Sequence, residues 1–256
     1  MLLVSTICRN ASPGESSGSV YRVDERAGLR VGRVAVIESP LRGRDPNPRG
    51  GMRGARGIAA GDGTVFVANY DTVFRYDASW GLVGAISHPQ CADIHDIAFR
   101  DGRLWVASTR SDRLMEFDLD GRLTDRVDPW DMGFVEDTFG IRRGPKDDVV
   151  DLRDPRTHDG AQTDRLHLNS FAFTHDGGLV LSLGQVRVNG HCESALARIG
   201  AAGGVEIIHR QGAAPVPAHN VLLLSDGSIL HADTANGQVL VLGGRAAPRA
   251  EPVLAT

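Results

Sequence analysis

The sequence predicts an all-β fold, a β-propeller of five blades with a six-bladed ring as the alternative, and three observations carry this. One layout recurs four times: a short apolar strand, an Asp-Gly turn, a hydrophobic strand ending in small or polar residues, then a third strand. The copies are "RGIAAGDGTVFVANYDTVFRYD" (56–77), "HDIAFRDGRLWVASTRSDRLMEFD" (95–118), "NSFAFTHDGGLVLSLG" (169–184) and "HNVLLLSDGSILHADTANGQVLVL" (219–242). Antiparallel strands in fours, repeating at about 40 to 50 residues, are the signature of propeller blades. Helical periodicity is nearly absent, and a Greek-key sandwich would not repeat its internal pattern so closely.

The elements follow in order. The amino-terminal runs "LLVSTICRN", "SVYRVD" and "RVAVIES" match strands two to four of the unit, so the first blade lacks its innermost strand. In the four full copies the turns fall at Asp62, Asp101, Asp176 and Asp226, each followed by a glycine that tolerates the positive φ a tight hairpin needs. Fourth strands follow as "GLVGAISH", "GRLTDRVDP", "GVEIIHR" and, at the carboxyl end, "AEPVLAT". A ring usually closes by lending its last strand to the first blade. Here the count falls one strand short, which leaves an irregular last blade, an early chain end or closure by a three-stranded blade.

The chain reads as a single domain over 1–256 with two insertions. Residues 39–55 are a loop rich in Pro, Gly and Arg, and residues 129–165 interrupt blades three and four. A connection as long as the second is usually functional or disordered. Its Trp130, Phe134 and Phe139 argue for order, and we read it as a lid over one mouth of the ring.

Composition narrows the function. A net charge of −4 argues against nucleic-acid binding, which would show a basic face. The one basic concentration, Arg42, Arg44, Arg49, Arg53 and Arg56, sits in a Pro/Gly-rich connection and is expected to be mostly solvated, Arg56 at the aligned rim position being the exception. Three cysteines without CxxC spacing suit a reducing compartment. No run approaches a membrane span or signal peptide. A cytoplasmic protein with no membrane or nucleic-acid partner is expected.

The chemistry is sought where inner strands begin, because those residues converge on the channel. Aligning the copies by their Asp-Gly turns places Arg56, His95, Asn169 and His219 at that start, and His167, two residues before Asn169, points the same way. Three imidazoles, His95, His167 and His219, form the expected metal site. Imidazole nitrogen suits zinc, copper, iron or nickel, and manganese is carried with them; calcium prefers carboxylate and carbonyl oxygens. Three protein ligands leave a position open for water or substrate. Asp96, Asn169 and Asn220 are candidates to orient the rings. Arg56 and Asn169 are expected to orient a small-molecule substrate, and Glu136, with Asp137 or His158, to complete the site from the insertion. Among the other histidines, His231 in "HAD" is the most channel-facing. The alternative function is a non-catalytic propeller that binds a protein or ligand on one rim. Sequence-local catalytic signatures are silent.

The stretches "RGIAAGDGTVFVAN", "HDIAFRDGRLWVAST" and "HNVLLLSDGSILHADTANGQVLVL" resemble the broad group of NHL-repeat, strictosidine-synthase-like and gluconolactonase (SMP-30-like) propellers. The succession "IHDIAF", "LHLNSFAF", "AHN" is closer to bacterial propellers of unassigned function. In the gluconolactonase group a Glu, an Asn and an Asp hold a divalent metal in the channel. Only Asn169 has a counterpart here, so the resemblance implies the fold and a channel metal, and does not carry over a calcium-dependent lactonase.

Overall fold

In the computed structural model, the residues described are 2–8, 16, 18–24, 29–37, 54–143, 150–154, 163–213, 215–243 and 251–255. The first insertion lies outside them up to residue 53, as does His158. The chain divides into two compact units, Met1–Val127 with Asp147–Thr163, and Asp128–Lys146 with Asp164–Thr256.

The first unit holds three antiparallel sheets. Strands β1 (Leu2–Ile7), β2 (Gly18–Asp24) and β3 (Arg30–Ile37) form the first. The second is β4 (Ile58–Gly61), β5 (Thr64–Ala68), β6 (Thr72–Tyr76) and β7 (Leu82–Ser87). The third is β8 (Ile94–Arg100), β9 (Arg103–Ser108), β10 (Arg113–Phe117) and β11 (Leu123–Val127). Side chains alternate across a strand, so a blade buried on both faces reads as an unbroken apolar run. In "TVFVA" of β5, Phe66 packs toward Ile94, Leu104 and Phe117 of the third blade, while Val67 packs toward Val20 and Ile37 of the first. The outermost strands lose one of those faces: Leu82 and Val83 of β7 are exposed.

The second unit opens with a 3-10 turn at Pro129–Met132, whose first amides are capped by the Asp128 carboxylate accepting from the Trp130 N–H. A short helix, α1 (Phe134–Phe139), follows and stops at Gly140, whose φ of 66° lets its N–H reach the Glu136 carbonyl. Two four-stranded sheets complete the unit: β12 (Leu168–Phe173), β13 (Leu179–Val188), β14 (His191–Ile199) and β15 (Val205–Gln211), then β16 (His219–Leu223), β17 (Ile229–Asp233), β18 (Gln238–Leu242) and β19 (Glu251–Ala255). Val180 and Leu196 of one pack against Val221, Ile229 and Leu242 of the other. Helix α1 is tied down by Arg210: its guanidinium lies over the Phe139 ring and donates to the Thr138 carbonyl, while Nε bonds the buried Glu193 at 2.6 Å.

Among the described residues there are five sheets, and the first has three strands, β1 to β3. Strand β19 pairs with β18 and so completes its own blade. The Asp-Gly turns fall into two kinds. Asp62-Gly63 and Asp101-Gly102 have positive φ at both residues, the two-residue I′ hairpin. In the fourth and fifth blades only Gly177 and Gly227 are left-handed, and the loops are wider, closed by Thr174 N–H to the Gly178 carbonyl and Leu224 N–H to the Ser228 carbonyl. Among the described residues no helix is long and apolar enough to cross a membrane.

Candidate functional site

Three of the inner strands, β8, β12 and β16, share a local device. In the third blade the ladder skips from Ile94–Ser108 to Asp96–Ala107, leaving His95 outside the pairing. The fourth blade skips Asn169 between Leu168 and Ser170, and the fifth skips Asn220 between His219 and Val221. Each is a β-bulge, which re-aims the unpaired residue. Two residues before Arg56, His95 and Asn169, the chain is left-handed: Gly54 (φ 67°), Asp93 (φ 53°) and His167 (φ 51°). A left-handed residue other than glycine costs roughly 1–2 kcal/mol, so Asp93 and His167 are held there by their surroundings.

This corrects the alignment made by counting from the Asp-Gly turns. His95, Asn169 and Asn220 are the equivalent residues, and His219 stands one place earlier than that count gives. The hairpins differ in the number of paired rungs between bulge and turn, five in the third blade, four in the fourth and three in the fifth, so distance from the turn does not keep register.

His95, in the first unit, is half-buried with its Nδ1 2.8 Å from the Asp93 carbonyl and 2.8 Å from Thr109 Oγ1. A carbonyl can only accept, so the proton sits on Nδ1 and the lone pair on Nε2. Arg56 lies against this ring. Its Nη1 is 3.1 and 3.2 Å from the two ring nitrogens and 2.5 Å from the Asp93 carboxylate.

In the second unit, His167 and His219 meet edge to face with ring centres 5.9 Å apart. The Asp164 carboxylate accepts from His167 Nδ1 at 2.7 Å, which likewise fixes the proton there and leaves the lone pair on Nε2. His219 Nδ1 is 3.4 Å from Thr234 Oγ1. An imidazole bound to zinc through nitrogen at about 2.0–2.1 Å has its ring centre about 3.1 Å from the ion, so two ligand rings can stand at most about 6.2 Å apart. A tetrahedral angle brings the ring centres to about 5.1 Å, so the observed pair lies within the outer limit and would close by somewhat under 1 Å to hold such an ion.

Asn169 is 2 % exposed and links the two blades, its Nδ2 donating to the Ala218 carbonyl at 2.6 Å. That contact fixes which end of the amide is nitrogen, and Oδ1 then has no donor among the described residues. Ser170 Oγ accepts from the Val221 N–H beside it. Gly184 faces Asn169 and Ala218 so closely that a β-carbon would not fit.

The remaining sequence-derived candidates are placed as follows. Glu136 is exposed on α1 and ion-paired with Arg142 at 2.6 Å. Asp96 caps its own strand, accepting from the Ile97 N–H. His231 is buried at 1 % exposure with its ring 6.0 Å from that of His209. Burial, aided by His209, pushes its pKa down to about 4, so it is neutral. Asp93, Thr109 and Asp164, which orient His95 and His167, were not singled out in the sequence. Asp164 lies three residues before His167 in the insertion's last turn, and this short spacing was the one available signal.

No protein-family model and no curated protein matches the chain. Solved structures do. A chain of the nidogen/laminin complex matches with a TM-score of 0.57 at 12% identity, covering 93% of this chain and 75% of that one. A protein of unknown function from Bacteroides caccae matches at 0.54 and 12%, covering 96% and 71%. The catalytically inactive H270A virginiamycin B lyase from Staphylococcus aureus, solved with quinupristin, matches at 0.50 and 15%, covering 93% and 68%. The chain spans about half the length of two further lyase structures, 53% and 54%. These neighbours are β-propellers, and with five blade-like antiparallel sheets the fold of this chain is a five-bladed β-propeller.

Proposed function

We propose that the chain is a metal-dependent enzyme acting on a small molecule, with His95, His167 and His219 as protein ligands of one divalent transition metal: iron, copper, zinc or manganese. The observation that carries this is the His167–His219 pair, two half-buried imidazoles at a separation one ion can span, with the Asp164 carboxylate setting the His167 tautomer. His95 is half-buried as well and offers a ring nitrogen, its tautomer set by the Asp93 carbonyl. Neutral imidazoles with fixed tautomers suit a transition metal far better than calcium or magnesium. Once bound, such an ion would polarise a carbonyl or lower the pKa of a coordinated water.

The chain's own residues would then do the positioning. Asp164 and Asp93 hold the His167 and His95 rings in orientation, and Asn169 Oδ1 stands as an acceptor for a donor group on the substrate. Arg56 steers the substrate's polar end. The insertion 129–165 serves as the cover through which substrate passes. Arg56 Nη1 and an ion compete for the Nε2 lone pair of His95, so metal uptake requires that contact to open.

Metal content of the purified protein tests the reading, wild type against His95→Ala, His167→Ala and His219→Ala. Near-stoichiometric transition metal that is lost in all three folded variants is the expected result. A wild type that binds none of the four metals, or variants that retain it, would overturn the proposal and leave a non-catalytic binding propeller.

A further inference from the structure

We propose that the Nε/Nη2 edge of Arg56 binds the carboxylate group of a small-molecule ligand. This deepens the functional reading and rests on it only in taking that ligand to be the substrate; the carboxylate site stands on the geometry of the first unit alone.

The guanidinium is held at one corner. Nη1 is engaged by the Asp93 carboxylate at 2.5 Å, the Ile94 carbonyl at 3.3 Å and the His95 ring. Those partners fix its plane, and Asp93, itself 5 % exposed, is fixed by its left-handed backbone. The opposite edge is different. The Arg56 side chain is 10 % exposed, and its Nε is buried with no acceptor among the described residues. Nη2 makes no hydrogen bond to a described residue either; every contact of the group runs through Nη1.

A buried guanidinium whose role was purely structural would spend its Nε–H on a protein acceptor, since an unsatisfied buried donor is costly. Nε–H and Nη2–H point in parallel, about the spacing of two carboxylate oxygens, and pairs of this kind are the strong, planar ones. A tetrahedral phosphate or a single amide oxygen uses that edge less fully. The Asp93 carboxylate balances the Arg56 charge at Nη1 and does not occupy the Nε/Nη2 edge.

The test uses the full chain labelled with nitrogen-15 at arginine, as purified and again after metal removal. The Arg56 Nε–H resonance is followed through a millimolar titration with acetate, with acetamide and sulfate as comparison probes. Acetate is expected to shift that resonance saturably and to bind at least about tenfold more tightly than either comparison probe. Arg56→Lys keeps a charge to pair with Asp93 but lacks the fork, and is expected to bind acetate at least about tenfold more weakly. An Arg56 resonance indifferent to acetate, binding unchanged in Arg56→Lys, or acetamide or sulfate binding as tightly as acetate would each overturn the inference. Acetate binding in a protein that takes up no metal would sink the metal reading alone, and metal uptake without acetate binding would sink the carboxylate site alone.

Discussion

Replacing Gly184 with alanine puts a methyl group where the fourth and fifth blades meet. The new β-carbon would lie under 3.0 Å from both the Ala218 carbonyl oxygen and Asn169 Nδ2, and 3.2 Å from Asn169 Cγ. The oxygen belongs to the backbone and cannot rotate away, so the strands must part. Three contacts converge there: Asn169 Nδ2 to the Ala218 carbonyl at 2.6 Å, Ala218 N–H to the Gly184 carbonyl at 2.9 Å, and Gly184 N–H to the His167 carbonyl at 3.0 Å. Overpacking of this kind costs about 1–3 kcal/mol. Each buried hydrogen bond that opens adds about 0.5–1.5 kcal/mol. Against this stands a gain of about 0.4–1 kcal/mol from stiffening the unfolded chain. The expected net loss is about 2–4 kcal/mol, or about 1 M in urea midpoint for a slope of about 2–3 kcal/mol/M. Equilibrium urea unfolding followed by tryptophan fluorescence and circular dichroism reads it. Gly204→Ala is the control, since no atom lies within 4 Å of its added carbon, and it is expected to be neutral or slightly stabilising. A Gly184→Ala loss below about 1 kcal/mol would refute the reasoning, because the predicted clash would then be absorbed without opening any of the three bonds.

Three further outcomes are expected. His231 has a folded pKa of about 4, below its ordinary 6.5, so the unfolded chain takes up a proton that the folded one refuses. Stability should be full above pH 6.5 and fall as pH drops toward 4, by up to roughly 3 kcal/mol; a His231→Gln variant should lose that slope in pH-dependent unfolding, and an unchanged slope would contradict it. Cys91 is buried and its thiol is pushed up to about 12 by burial, whereas Cys8 is exposed. A thiol reagent should therefore label Cys8 rapidly and Cys91 only at the rate of unfolding, as mass spectrometry of the labelled peptides will show. Gln90 donates to the Val150 carbonyl at 2.8 Å and accepts from the buried Arg113 at 2.9 Å, so Gln90→Ala should cost about 1–3 kcal/mol. It should also speed hydrogen exchange at the Leu152 amide, which is bonded to the Pro89 carbonyl, and unaltered exchange there would argue against Gln90 as the anchor.

The blades were legible because their signals are local. Alternation in "TVFVA", glycine after aspartate at 63 and 102, and polar outer strands such as "LTDRV" each state their own structure. The six residues of α1 were not, since one and a half turns give no periodicity to read; only Gly133 and Gly140 mark its ends. Placement of β19 was left open because "EPVLA" fits any edge strand, and pairing with β18 is a property of the assembled sheet. For the candidate site, the sequence located His95, His167 and Asn169 near strand starts. It could not show bulges, because an extra unpaired residue looks the same as a longer strand. Nor could it show that Thr109, fourteen residues away, touches the His95 ring, or that Arg56 meets Asp93 across thirty-seven positions.

The bulges have a consequence for how such a protein can change. A residue that the ladder skips contributes no rung, so exchanging its side chain leaves the flanking pairs Ile94–Ser108 and Asp96–Ala107, or Leu168–Leu183 and Ser170–Ser182, as they were. The third blade carries histidine in that slot and the fourth and fifth carry asparagine; in the fifth the bulged Asn220 is itself left-handed, at φ 55°. The ladder thus leaves the side chain in such a socket unconstrained, whereas at Asn169 the bond to the Ala218 carbonyl does constrain it.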